Sequence, residues 1–269
     1  MSGGADPVGV LRTHFRQAVP EPFTLEPVDA AEINSRNWIV ALGGKPRFVL
    51  KRGPYHGIVE FYGEFSRKTP LLPPMAAFAR EKDELFRLIE YREGRAAPGN
   101  ATEAARALAQ LHLALRDVPG ALPFSERYLP LQKVPDLVSG KSMRAWNAEI
   151  EALEALPGLP RGWVHHDYHP GNALFQGAKV SAILDMDSIG TDFRMQAVAF
   201  GASRFGDAHR FLDAYHAVDP LTGAERRSYG AFVRREAVRR INWILRDESG
   251  AWRGELAKHL ETIRKSHAA

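Results

Sequence analysis

Cysteine is missing from all 269 residues, which excludes disulfides and thiolate metal sites and fits a reducing, cytoplasmic compartment. No apolar run approaches the roughly 20 residues a membrane-spanning helix needs. The opening MSGGADPVGV has neither a charged n-region nor an apolar h-region, which predicts no signal peptide. Internal repeats and low-complexity tracts are absent as well. A net charge of +4 permits weak attraction to polyanions, but no dense Lys/Arg tract is interleaved with aromatics, so no nucleic-acid partner is expected. What is there, 45 % hydrophobic and 25 % charged, is an ordinary globular composition, long enough for one large domain or two lobes with separate cores.

The chemistry concentrates in WVHHDYHPGNALFQGAKVSAILDMD, from Trp163 to Asp187. His165, Asp167 and Asn172 fit H-x-D-x-x-x-x-N, the spacing of a kinase catalytic loop, in which the Asp takes the proton of the attacking hydroxyl and the Asn holds magnesium. Two short apolar runs then flank a glycine turn, which predicts a β-hairpin returning Asp185 to the neighbourhood of Asn172. An amide oxygen and a carboxylate on neighbouring strand ends are hard ligands suited to Mg²⁺. Asp187, two residues on, would point to the same side as Asp185 if the strand continued. His165 is expected to brace the loop by hydrogen bonding.

HHDYHPGNALF and VSAILDMDS resemble the Brenner-type motif of the aminoglycoside phosphotransferase and choline kinase superfamily, which also contains bacterial homoserine kinases. The resemblance implies an α+β, two-lobed, protein-kinase-like fold using ATP or GTP with Mg²⁺. It implies Asp167 as catalytic base and Asn172 and Asp185 as metal ligands, and it is nearly silent about the hydroxyl-bearing substrate.

Upstream, TLEPV reads as a first strand, and WIVAL and RFVLKR as a hairpin joined by GGKP. The polar stretch DAAEINSRN lies where a kinase carries its phosphate-covering loop, with Ser35 and Asn37 as candidate contacts; having no glycine, it is as readily a plain turn. Lys51 ends FVLK, in the place of a nucleotide-phosphate lysine that needs an acidic partner. Glu60 and Glu64, four apart on one helical face of GIVEFYGEFSRK, are the candidates, and Glu60 is preferred. MAAFAR and LFRLIEY form another hairpin, completing a five-stranded antiparallel sheet with one helix. REGRAAPGN reads as a linker. By resemblance, Glu90, Tyr91 and Arg92 form a hinge meeting the adenine through main-chain groups. The expected division is residues 1–92 as the nucleotide lobe and 93–269 as a mostly helical lobe holding the catalytic loop and substrate pocket.

Beyond the hinge the period is helical, with Asn100 and Glu103 as a capping pair. After Asp187 the family places an Asp where this chain has Ala197, and Asp192 is the candidate substitute. From residue 201 onward thirteen Lys/Arg face nine Asp/Glu. A polycationic acceptor would call for the opposite balance, so a neutral, zwitterionic or anionic hydroxyl compound is expected. Two other readings stand beside the kinase: a nucleotide-binding pseudokinase acting as an interaction module, and a zinc hydrolase built on His165, His166 and His169.

Overall fold

The computed structural model describes residues 5–28, 36–54, 57–81, 84–97, 100–122, 140–246, 250 and 252–266. Its N-terminal sheet has five antiparallel strands, β1 (Phe23–Pro27), β2 (Arg36–Leu42), β3 (Lys45–Pro54), β4 (Met75–Glu81) and β5 (Glu84–Glu90), in the order β1-β2-β3-β5-β4. The β2–β3 turn closes because Gly43 and Gly44 sit at φ 57° and 75°, torsions that strain most residues bearing a Cβ. The first helix, α1 (Pro7–His14), is capped by Asp6 and lays Val10 and Leu11 against Val40, Leu50, Phe86 and Leu88 of the sheet. Helix α2 (Val59–Lys68) follows β3 and buries Val59, Tyr62 and Phe65, which recur every three residues and so share a face.

The linker after β5 carries a short strand, β6 (Arg95–Ala96). Helix α3 (Ala101–Leu115) starts where the Asn100 side chain accepts the Glu103 N–H at 3.2 Å, as the capping pair predicts. Then come α4 (Gly140–Ala155), β7 (Arg161–His165), β8 (Ala173–Gln176), β9 (Lys179–Ile183), β10 (Ile189–Phe193), α5 (Arg194–Arg204), α6 (Ala208–His216), α7 (Gly223–Arg246) and α8 (Leu256–Ser266). β8 and β9 form the expected hairpin, with β6 on its edge, and β7 pairs with β10. One core runs from Ile58 and Phe65 through the alanine- and leucine-lined face of α3 to Tyr168, Phe193, Phe205 and Phe211. The strands bearing the motif are therefore seated on helices already packed against the sheet. Among the described residues no helix is long and apolar enough to cross a membrane.

His112 of α3 is buried in that core with Nδ1 2.6 Å from the Tyr215 hydroxyl, which donates to Asp219 at 3.3 Å. Burial, reinforced by the Arg194 charge, pushes His112 down to about 3. An unfolded histidine takes its proton near pH ~6.5, so the unfolded state binds the extra proton between those values and stability falls as pH drops. From pH 7 to pH 5 the expected loss from His112 alone is about 2 kcal/mol. Thermal unfolding across that range checks it: His112→Asn should flatten the acid-side slope of Tm, whatever its stability at pH 7.

Candidate active site

The site is assembled from short segments. β7 delivers His165, whose imidazole is fully buried. Its Nδ1 accepts the Asp167 N–H at 3.1 Å, so Nε2 carries the proton and donates to the Leu184 carbonyl at 2.7 Å. Burial lowers its pKa, keeping the ring neutral. One side chain thus ties the loop bearing Asp167 to the residue before Asp185. Tyr168 anchors the same loop below, its buried hydroxyl donating to the Ala104 carbonyl of α3 at 2.9 Å. At Gly171 the chain passes so close to the His169 ring that a Cβ would lie 2.8 Å from Cε1. A tight turn over Pro170–Asn172 then leads into β8.

The hairpin does bring Asp185 back beside Asn172: the Leu184 N–H donates to the Asn172 carbonyl at 2.8 Å. The Asn172 amide donates to the Asp167 carbonyl at 2.9 Å and lies 3.4 Å from its carboxylate. Asp185 itself adopts the left-handed conformation, φ 57°, which Asp tolerates better than most residues. Strand geometry ends there. Met186–Ser188 is a helical turn, so the expectation that Asp187 shares a strand face with Asp185 is corrected. The two carboxylates converge nonetheless, because both reach the Lys51 ammonium, Asp187 at 3.0 Å. Arg87, buried in β5, pairs with Asp187 from the other side. Burial raises the Asp185 carboxyl, but the Lys51 charge and hydrogen bond outweigh it and hold the group ionised.

Asp167 is also held as a carboxylate. Burial raises its pKa, yet the His169 imidazole at 3.4 Å and the Arg240 guanidinium, in direct contact, bring it well below the usual range. Arg240 belongs to a set on α7. Arg239 donates to the His166 carbonyl at 3.3 Å, and Arg235 reaches Asp192 at 2.8 Å and Gln196 at 2.9 Å. Ala197 is fully buried in α5. The acid beside the loop is Asp192, 3.9 Å from His166. Much of the positive surplus counted in the sequence is therefore matched internally.

The remaining sequence candidates are scattered around this centre. Asn37 lies opposite Lys51 in the β2–β3 register, with its side-chain oxygen buried and lacking a partner among the described residues. Ser35 lies outside the described residues. Lys51 takes Asp185 and Asp187 as its acids, whereas Glu60 is exposed on α2 and Glu64 half-buried. Where a hinge is expected, the Glu90 N–H donates to the Pro74 carbonyl and the Tyr91 N–H to the Arg47 carbonyl. The zinc reading fails: His165 turns to Leu184, His166 toward Asp192 and His169 toward Asp167. No cluster of three or more His, Cys, Asp or Glu able to hold a metal occurs among the described residues. Sequence reasoning missed Arg87 and Arg240. An arginine inside the apolar run LFRLIE was the available signal for the first, since a cation there needs a buried partner.

For magnesium, the donors fit. An amide and a carboxylate brought together by the Leu184–Asn172 hydrogen bond are hard oxygen ligands, few enough to leave positions for phosphate oxygens and water.

Residues 24–206 match the sequence model described as the phosphotransferase enzyme family, APH. Homoserine kinase of Xanthobacter autotrophicus is 33 % identical over 172 residues, 54 % of this chain and 53 % of that protein. The chain spans about half the length of the curated relatives it matches. Among solved structures, a thermostable mutant of aminoglycoside phosphotransferase APH(4)-Ia, in ternary complex with AMP-PNP and hygromycin B, has a TM-score of 0.68 at 16 % identity, covering 95 % of this chain and 98 % of that one. A choline/ethanolamine kinase family protein from Mesorhizobium loti reaches 0.72 at 14 % identity, covering 97 % and 93 %. At these identities the structural likeness is one of fold, the two-lobed α+β architecture of protein-kinase-like phosphotransferases.

The Asp192–Arg235 pair is almost wholly buried, at 5 % and 3 % side-chain exposure. Removing Asp192 leaves the buried Arg235 guanidinium with only the half-exposed Glu154, 3.1 Å away, as its counter-ion, at a cost of roughly 3 kcal/mol or more. Asp192→Asn should accordingly lower Tm by about 6 °C or more, read by calorimetry. A shift under about 2 °C would assign the loop's support elsewhere.

Proposed function

The chain belongs to the phosphotransferase enzyme family, and from that premise we propose that it is a small-molecule kinase moving the γ-phosphoryl of ATP or GTP to a hydroxyl. Residues 1–92 form the nucleotide lobe in this reading and 93–269 the acceptor lobe. The observation that carries it is the meeting of three segments: Lys51 from the N-terminal sheet reaches Asp185, and His165 ties Asp185's strand to the Asp167 loop.

The acceptor oxygen bonds to the γ-phosphorus as the bond to the β–γ bridging oxygen breaks. The nucleoside diphosphate leaves with that electron pair, and the hydroxyl proton passes to the Asp167 carboxylate. A carboxylate held so far below neutrality is a weak base, so its main work is to orient the hydroxyl in line, with the proton moving late. Asn172 and Asp185 would hold Mg²⁺, which when bound neutralises phosphate charge. Lys51 supplies a point charge for the phosphates once a nucleotide draws it from Asp185 and Asp187. Asn37, beside Lys51, and Ser35 would approach the phosphates, and the hinge at Glu90 and Tyr91 the base. Glu60 remains the candidate on α2 to take Lys51 if that helix shifts on nucleotide binding. Among acceptors, the homoserine kinase relatives make an amino-acid alcohol the first to try.

Asp167→Ala should lower turnover by about 10²-fold or more while nucleotide still raises Tm; near-normal turnover would remove Asp167 from the chemistry. Asp185→Asn, which keeps a residue at home in the left-handed conformation, should abolish the Mg²⁺-dependent part of the ATP-induced Tm rise. An undiminished rise would assign the metal to other ligands.

A further inference from the structure

The sheet face that meets the site carries three polar residues in a row, and phosphoryl transfer by itself accounts for two of them. Asn37, Lys51 and Arg87 are direct neighbours in the β2–β3 and β3–β5 registers, and residues opposed in antiparallel strands project to the same side. The alternate positions Trp38, Leu50, Phe86 and Leu88 turn the other way, into the core under α1. Lys51 thus stands one strand spacing, about 5 Å, from an amide on one side and from a guanidinium on the other.

Arg87 is 1 % exposed, and its Nε and Nη2 have no hydrogen-bond partner among the described residues. The acid it pairs with is Asp187. From α2 the Tyr62 phenol lies near it, kept neutral because burial raises its pKa. Burial lowers Arg87 to about 10, so at neutral pH it remains a cation. An arginine taken out of water for one ion pair is a poor device for stability, since apolar residues of similar volume do as well or better. It is a good device for fixing where Asp187 lies. The turn from Asp185 to Ser188 is tied within itself by the Ser188 N–H to the Asp185 carbonyl at 3.0 Å, and to the catalytic loop by the His166 N–H to the Ser188 carbonyl at 2.8 Å. Its ion pairs to the sheet, among the described residues, are those of Lys51 with both carboxylates and of Arg87 with Asp187.

Lys51 cannot serve as that tie throughout a reaction in which phosphates draw it away. On its side away from Arg87 lies the Asn37 side-chain oxygen, buried and without a partner among the described residues, an acceptor for the departing ammonium. We propose that Arg87 is a positioning residue for the metal ligand Asp185: it keeps Asp187, and with it the turn from Asp185 to Ser188, docked on the sheet after Lys51 has moved to the nucleotide phosphates. The proposal rests on the kinase reading of Lys51 and Asp185. Loss of Arg87 costs twice. The turn loosens once Lys51 leaves, and an Asp187 with no other counter-ion holds Lys51 back.

Lys51→Met reproduces the departed ammonium with no ligand present. Hydrogen exchange is read by mass spectrometry on the peptide spanning Leu184 to Ile189, in the wild type, Lys51→Met and Lys51→Met/Arg87→Met. Protection should persist in Lys51→Met, and exchange should be about tenfold faster or more in the double variant. A second measurement uses AMP-PNP and takes the Mg²⁺ concentration that gives half of the nucleotide-induced Tm rise. Arg87→Met/Asp187→Leu removes both charges of the pair and should fold with an unliganded Tm no lower than the wild type. It should nevertheless need about tenfold more Mg²⁺, and Arg87→Lys, which keeps the charge, should need less than Arg87→Met.

A peptide that opens in Lys51→Met with Arg87 in place, or stays closed when both cations are gone, would overturn the proposal. So would an unchanged Mg²⁺ requirement in Arg87→Met/Asp187→Leu, with the kinase reading left intact. The expected exchange pattern in a wild type that no nucleotide stabilises would count against the kinase reading alone, and would still support Arg87 as the residue that docks the turn.

Discussion

The neutral imidazole of His165 is the constraint on which the candidate site depends. It is fully buried, accepts from the Asp167 N–H and donates to the Leu184 carbonyl. Both bonds require one proton on the ring and a fixed tautomer, and burial enforces that state by penalising the charged form. Remove the bridge and two half-buried main-chain groups lose their partner, while the two carboxylates on either side lose a common frame. The hairpin between β8 and β9 brings Asp185 back, but the imidazole fixes where its strand ends relative to the loop.

Around this neutral centre the protein arranges charge in opposed pairs. Lys51 and Arg87 approach from the sheet to meet Asp185 and Asp187. From α7, Arg235 meets Asp192 and Arg240 meets Asp167, while Arg239 pairs with Glu236 on the same helix. Each pair lies at least partly out of water, where a lone charge would be costly, so each ion constrains its partner more than an exposed one would. Phosphoryl transfer is catalysed mainly by positioning and by compensating charge, and a site built of opposed ions supplies both.

What the sequence made legible was local. The GGKP turn, the Asn100 cap, the β8–β9 hairpin and the loop spacing from His165 to Asn172 each follow from chemistry within a few residues, and the fold class followed from the motif's resemblance. What stayed hidden depends on partners far along the chain. Arg240 in the run VRREAVRRIN looks like one of many surface cations until α7 is laid beside the loop, 73 residues away in sequence from Asp167. Likewise the acids of Lys51 lie 134 residues on, at Asp185, and beyond it at Asp187. A helical glutamate such as Glu60 could be singled out because helical periodicity can be read locally, whereas ion pairing across the chain cannot. Helix α1 escaped for a plainer reason: eight residues are too few for an apolar period to emerge.

The left-handed backbone at Asp185 has a consequence for anyone randomising this position. A φ of 57° disfavours β-branched and bulky residues on steric grounds before any phosphate chemistry is sampled, and favours glycine, asparagine and aspartate. A library built there would be sieved first by torsion, and survivors enriched in those three residues would report the shape of the chain as much as the selection applied to it.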